Sequence, residues 1–266
     1  MTHDRKKLAF AFFPVLYALV LWACAFPAQA QAPESCIPAP GDYDGDGDWD
    51  FSQLCGAAWR FYNPDGSLLK VIMTSAPPGS VPVAADYDGD VRTEVALFSA
   101  GAWHFFDYDT GVYLPAASVW TGGNGIPAPM DYNGDGKADL TLYALGAWHF
   151  YNRNGSYNKG IWIGNTPGNL PVPFNRDSDP AEEMVLFNGG AFHYWDFETK
   201  TYQGGVYLGA FQNPLPSPLD LDGDGDLELT VFANGYWYFY TTEGTFLGSF
   251  FTGNATDQPI SRRLLP

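Results

Sequence analysis

The sequence is poor in positive charge. Thirteen Lys and Arg stand against thirty Asp and Glu in 266 residues, a formal net charge of −17. Nucleic acid and anionic membrane surfaces demand basic patches, so that balance argues against both as partners. A catalytic signature is also missing. No spaced nucleophile, base and orienter stands out, and no unique acidic pair lies outside the repeats described below. Cysteine is scarce, with only Cys24, Cys36 and Cys55. Helix-favouring composition is lacking too. Aromatic content is 17%, with 30 Gly and 21 Pro, which suits many short strands and turns.

What the chain does have is acid in a fixed pattern. Asp131, Asn133, Asp135 and Asp139 occupy positions 1, 3, 5 and 9 of one loop, with Gly134 and Gly136 between them. A hard cation such as Ca²⁺ takes 6–8 oxygen ligands at about 2.3–2.6 Å, and such a loop gathers several from one short segment. Without a cation these groups would repel one another. The pattern recurs as Asp42, Asp44, Asp46 and Asp50, and as Asp86, Asp88, Asp90 and Glu94. It returns as Asn175, Asp177, Asp179 and Glu183, then as Asp220, Asp222, Asp224 and Glu228. Loop starts at 42, 86, 131, 175 and 220 give a period of 44 or 45 residues, the mark of a propeller or another repeat array.

These are not EF-hands. That loop requires a bidentate Glu at position 12 and flanking helices. Here position 12 is Gln53, Leu97, Leu142, Leu186 or Val231, inside alternating apolar segments that read as strands. The loops are uneven. The second carries Val91 where the second glycine belongs. The fourth has Asn175, Ser178 and Pro180, loses both glycines and gains Glu182. It is the weakest metal candidate.

The third repeat shows the unit most clearly. A short proline-bearing strand over 126–130 precedes the loop, and a second strand runs over 139–143. A third covers 147–151. Asn154-Gly155 signals a hairpin turn, and a fourth strand occupies 156–163. Four strands per unit match a propeller blade. The expected fold is therefore all-β: a β-propeller of about five four-stranded blades, with the acidic loops between first and second strands. Repeats start near 37, 81, 126, 170 and 215.

Five Asp-x-Asp-Gly-Asp-like cores between short strands resemble the FG-GAP/VCBS repeat family, whose relatives include the calcium loops of integrin alpha-subunit propellers. The likeness covers residues 37 to about 253. Literal Phe-Gly and Gly-Ala-Pro ends are absent, so the VCBS-like branch is the nearer match. The resemblance implies a propeller with three to five Ca²⁺ at one rim. It implies no single activity, since the family includes adhesins, binding modules and appendages to enzymes.

The N-terminus reads as a targeting segment. Arg5, Lys6 and Lys7 precede an apolar stretch over 8–26, and Ala28-Gln29-Ala30 offers a cleavage site. Residues 1–30 are expected to be a signal peptide and 31–36 a linker, with 37–266 the propeller. Removing 1–30 takes away Arg5, Lys6, Lys7 and Asp4 and deepens the charge from −17 to −19. A bacterial lipobox ending at Cys24, which would be lipidated, and an uncleaved anchor are the alternatives. All place the rest of the chain outside the cytoplasm: secreted, periplasmic or on the cell surface. Cys36 and Cys55 bracket the first acidic loop. An even pair in an exported chain reads as a disulfide, with two free thiols as the alternative.

Aromatic residues repeat as well. Trp59, Trp103, Trp148, Phe192 and Trp237 each lie 17 residues after a loop start. Phe61, Phe105, Phe150, Tyr194 and Phe239 follow two later, on the same strand face. Blade-to-blade packing is the ordinary use of such large side chains; a set of sugar-stacking platforms is the alternative. His104, His149 and His193 share one repeat position. Equivalent positions are spread around a propeller axis, so a structural or rim role is expected of them rather than a metal cluster.

Phe251-Thr252-Gly253 matches Trp120-Thr121-Gly122, and Pro259-Ile260 matches another first strand, either closing the ring or capping its edge. The functional expectation is a non-enzymatic, calcium-dependent binding or adhesion module for a glycan or surface protein. The other readings are a structural part of an envelope assembly and a polysaccharide-acting enzyme on a propeller scaffold.

Overall fold

The computed structural model describes residues 36–47, 50–62, 68–75, 77–176, 179–218, 227–234 and 236–251. The targeting segment, Cys24, Asp177, Asp220, Asp222, Asp224 and the C-terminal closure candidate lie outside them. The described strands form five four-stranded antiparallel sheets, each in chain order from first to fourth strand. They are the blades of a five-bladed β-propeller, as the repeat period predicts.

Blade 1 comprises Cys36–Pro38, Phe51–Cys55, Ala58–Tyr62 and Leu68–Met73. Blade 2 comprises Val81–Pro82, Val95–Ser99, Ala102–Phe106 and Val119–Trp120. Blade 3 comprises Ile126–Pro127, Leu140–Ala144, Ala147–Tyr151 and Tyr157–Trp162. Blade 4 comprises Leu170–Pro171, Met184–Asn188, Ala191–Trp195 and Tyr202–Tyr207. Blade 5 comprises Leu215–Pro216, Leu229–Ala233, Tyr236–Tyr240 and Phe246–Phe251. The first strand begins at Cys36, one residue inside the segment read as a linker.

Proline sets the innermost strands. Pro127 and Pro129 alternate with Ala128 and Met130, whose N–H groups donate to Thr141 at 2.9 Å and Asp139 at 3.4 Å. The prolines fall on the side where no ladder donor is required. The same backbone bond joins Ala39 to Ser52, Val83 to Ala96, Val172 to Val185 and Ser217 to Thr230.

Burial changes from strand to strand. The second strands of blades 2, 3 and 4 each bury four consecutive residues, because neighbouring blades cover both faces. The third strand alternates, burying Trp148 and Phe150 while Ala147, His149 and Tyr151 stay half-exposed. Fourth strands form the outer edge and are mostly exposed.

The core lies between blades. Trp59 and Phe61 of blade 1 pack with Val95 and Leu97 of blade 2. Trp103 and Phe105 meet Leu140 and Leu142 of blade 3. Trp148 and Phe150 meet Met184 and Leu186 of blade 4, and Phe192 and Tyr194 meet Leu229 and Val231 of blade 5. Trp59, Trp103, Trp148 and Phe192 are completely buried. The repeated aromatics of blades 1 to 4 are therefore blade-to-blade packing. Full burial of one such side chain contributes about 1.5–3 kcal/mol.

Candidate metal centre

Each of the first three acidic loops follows a first strand and is closed by its own first residue. Asp42 Oδ1 accepts from Gly45 N at 2.7 Å, and its Oδ2 accepts from Gly47 N at 3.0 Å. Asp86 does the same with Gly89 at 2.7 Å and Val91 at 2.8 Å. Asp131 does so with Gly134 and Gly136, both at 2.7 Å. The donors are the N–H groups of loop positions 4 and 6. These positions turn left-handed, with φ of 78° and 89° at Gly45 and Gly47. Glycine adopts that conformation without steric cost.

The acid at position 9 ties the loop to its own start. Asp50 Oδ2 accepts from Tyr43 N at 3.0 Å, Glu94 Oε2 from Tyr87 N at 2.5 Å, and Glu183 Oε2 from Arg176 N at 2.8 Å. The Tyr132 backbone plays that part for Asp139.

This scaffold gathers oxygen atoms. In the second loop, Asp86, Asp88, Asp90 and Glu94 each place a carboxylate oxygen within 4.8 Å of all the others. In the first, Asp42, Asp44 and Asp50 do the same. Two oxygens on one Ca²⁺ at about 2.4 Å are at most about 4.8 Å apart, so both donor sets fit such an ion. Asp46 completes the first loop in sequence but falls outside its tight group. The third loop holds its oxygens by an internal bond, Asn133 Nδ2 donating to Asp139 Oδ2 at 2.9 Å.

Electrostatics point the same way. Burial, followed by the charges of Asp44, Asp46 and Asp42, pushes the Asp50 carboxyl up to about 6. Burial raises Glu94 to about 7, with Asp88, Asp86 and Asp90 adding to it. Asp139 rises to about 7, first from burial and then from Asp135 and Asp131. Half-buried carboxylates crowded by like charge resist ionisation, and a bound cation would reverse that.

The fourth loop is built differently. Pro180 stands at position 6 and has no N–H to give. Asn175 stands at position 1 with one carbonyl oxygen instead of two carboxylate oxygens, and its Nδ2 donates to the Asp179 carbonyl. Ala181 N donates to Asp179 Oδ1 at 2.8 Å. Glu182 turns towards the preceding blade, and its Oε2 accepts from Asp131 N at 2.9 Å. Glu228 is the one ligand candidate of the fifth loop among the described residues.

The loops also join blade to blade. Thr93 N donates to the Asp42 carbonyl at 2.6 Å, Ala138 N to Asp86 at 2.6 Å, and Glu182 N to Asp131 at 2.7 Å. Lys137 Nζ reaches back to the Asp88 carbonyl at 2.7 Å. All five blades contribute to one axial cavity of about 560 Å³, which is lined by Asp42, Asp86, Asp131, Asn175, Pro218 and Leu227 among others. Sequence reasoning missed both features.

The histidines do not come together. His104, His149 and His193 each sit on a third strand beside a tyrosine of their own blade: Tyr113, Tyr157 and Tyr202. Two further exposed aromatics stand at the ends of fourth strands. Trp120 and Trp162 are 71% and 72% exposed.

No family model matches this chain, and no curated protein does. Solved structures share its fold. Virginiamycin B lyase from Staphylococcus aureus, crystallised with quinupristin, superposes with a TM-score of 0.50 at 12% identity, covering 85% of this chain and 73% of that one. An Agrocybe aegerita lectin that recognises terminal N-acetylglucosamine gives 0.48 at 12% identity, covering 84% and 67%. A Bacteroides caccae protein of unknown function gives 0.48 at 14%, covering 81% and 82%. At such identities the likeness concerns the fold alone.

Proposed function

We propose that this chain is an exported calcium-binding β-propeller that serves as a non-enzymatic binding or adhesion module for a glycan or surface protein. The observation that carries the reading is the second loop, where oxygens of Asp86, Asp88, Asp90 and Glu94 lie within 4.8 Å of one another. The VCBS-like spacing of all five loops supports it.

Calcium in this reading is structural. Asp42, Asp44 and Asp50 would hold one ion, and Asp86, Asp88, Asp90 and Glu94 a second. Asp131, Asn133, Asp135 and Asp139 would hold a third. The ion supplies positive charge that relieves carboxylate repulsion. Extracellular sites work with a Kd of about 10⁻⁴–10⁻³ M, where the ion is abundant. A ligand that binds only the folded form at 100 times its Kd stabilises it by about 2.7 kcal/mol.

A Cys36–Cys55 disulfide belongs to the same reading. Its support is the register, which puts Cys36 directly opposite Cys55 on paired antiparallel strands. Directly opposed residues have Cα atoms about 4.5–5.5 Å apart, within disulfide range. Export rests on the N-terminal pattern. Among the described residues, no helix is long and apolar enough to cross a membrane.

The test has two arms. Calorimetric titration of chelator-stripped protein with Ca²⁺ is expected to give saturable heat and a higher melting temperature. A glycan and polysaccharide panel, screened in Ca²⁺ and in chelator, is expected to show capture only with Ca²⁺. No heat together with an unchanged melt would overturn the calcium half.

A further inference from the structure

Where the chain passes from blade 3 to blade 4, a groove of about 440 Å³ opens, lined by Ile163 and Gly164 just after blade 3 and by residues leading into and within blade 4. Its walls also include Thr166 and Asn169 from the segment joining blades 3 and 4, and Asn188, His193, Trp195 and Tyr202 from blade 4. Three of these depart from the repeat. Asn188 takes the place of Cys55, Ser99, Ala144 and Ala233. Asn169 precedes its first strand where Ser80, Gly125 and Pro214 precede theirs. Trp195 replaces Tyr62, Phe106, Tyr151 and Tyr240. Building a blade requires none of these changes, since the other blades pack without them. All three face one groove.

The departures are also held in place. Asn188 Nδ2 donates to Asn169 Oδ1 at 2.6 Å and to the Pro167 carbonyl at 3.0 Å. Both amide protons are thereby committed, which fixes Asn188 Oδ1 as an acceptor. Asn169 Nδ2 donates to Tyr143 OH at 3.0 Å. His193 Nδ1 pairs with Tyr202 OH at 3.0 Å. The Trp195 and Tyr202 rings lie 5.1 Å apart, and His193 is 6.2 Å from Trp195. Tyr202 is 53% exposed, so this ring cluster is open to solvent.

No wall residue is Asp, Glu, Lys or Arg, in a chain of net charge −17. Burial also holds His193 below the ordinary histidine value, which favours its neutral form. Such a groove has no ionic means of holding an anion or a cation. It offers aromatic faces for C–H surfaces, with fixed amides and hydroxyls beside them for hydrogen bonding. Pre-fixed groups lose little entropy on binding. A neutral pyranose has those two surfaces, an apolar ring face and a rim of hydroxyls.

We propose that the groove between blades 3 and 4 is a binding site for a neutral pyranose unit of a glycan, with Trp195 and Tyr202 as its stacking wall and Asn188 and Asn169 as its hydroxyl-reading edge. The proposal rests on the binding-module reading above and adds the place and the ligand class.

The test restores the repeat's own residues. Asn188→Ala and Trp195→Tyr install what blades 3 and 5 already carry. The protein and this double variant are screened in Ca²⁺ against neutral glycans built from glucose, galactose, mannose or N-acetylglucosamine, with uronate-containing glycans alongside. The expected result is capture of a neutral glycan and at least about tenfold weaker binding by the variant, a difference of about 1.4 kcal/mol. Loss of the two Asn188 hydrogen bonds should lower its melting temperature by only a few degrees. Trp195→Tyr alone, expected to weaken binding in the same direction, serves if the double variant melts early. Equal binding by parent and variants overturns the groove and leaves the binding module standing. Capture of uronate-containing glycans only overturns the neutral-ligand assignment. No capture by folded protein overturns both the groove and glycan binding as the function.

Discussion

Glu182 holds the Asp131 backbone from both sides. Its N–H donates to the Asp131 carbonyl at 2.7 Å, and its carboxylate accepts from the Asp131 N–H at 2.9 Å. Thr93 and Ala138 make only the backbone half of this contact with the preceding blade. The extra acid of the fourth loop, read from sequence as a metal-loop oddity, is thus an inter-blade clamp.

Glu182→Ala should leave the Asp131 N–H without its acceptor in a partly buried place, at a cost of about 1–3 kcal/mol. Glu182→Gln keeps a carbonyl acceptor and should lose less. Urea unfolding of the two variants checks this. Equal losses would mean the hydrogen bond contributes nothing that the side chain's bulk does not.

Val91 is β-branched and left-handed at φ 70°, where the first and third loops carry glycine. A non-glycine residue held there costs on the order of 1–3 kcal/mol. It is 74% exposed, so little packing offsets the strain. Val91→Gly is expected to raise the melting temperature by about 2–4 °C for each kcal/mol released. A lower melting temperature would show that Val91 is not strained.

The acidic loops make the metal-free fold pH-sensitive in one direction. Asp50 is raised to about 6, and Glu94 and Asp139 to about 7. Unfolding returns such groups to about 4. The folded form therefore holds extra protons between about pH 4 and pH 7. Their stabilisation is complete below pH 4 and is lost as pH rises through 7. In chelator, the melting temperature should fall from pH 5 to pH 7. If these loops bind Ca²⁺, the ion should restore more stability at pH 7 than at pH 5. A chelator melt that does not change between these pH values would refute the assignment.

Trp59 and Trp148 occupy the same repeat position in different polar settings. Trp59 Nε1 donates to Ser52 Oγ at 2.9 Å. Trp148 Nε1 and Thr141 Oγ1 are buried without a partner. Phenylalanine removes the indole N–H at either site, and Phe192 already fills that position in blade 4. Trp59→Phe should cost about 0.5–1.5 kcal/mol more than Trp148→Phe, because only the former loses a bond. Thermal melts of the pair decide it.

The sequence by itself determined the blade count, the four strands per blade, the loops between first and second strands and the aromatics at the core. Each of these is local. A loop's ligand candidates lie within nine residues, and a strand's two faces follow from side-chain alternation. The different build of the fourth loop was legible too, because Pro180 and Asn175 remove a donor and an acceptor from the bonds that close the first three loops.

Tertiary structure alone decided what happens between blades. The carbonyl of Asp42 meets the N–H of Thr93, a residue of the next repeat, because one blade is stacked on another at a particular pitch. Asn169 and Asn188 stand 19 residues apart in the chain. They become one bonded pair only when the segment joining blades 3 and 4 meets the second strand of blade 4. A period of 44 or 45 residues announces that blades repeat, but it carries no information on their spacing or tilt. Those follow from how the buried aromatics of one blade fit the second strand of its neighbour, and the axial cavity and the groove follow from them in turn.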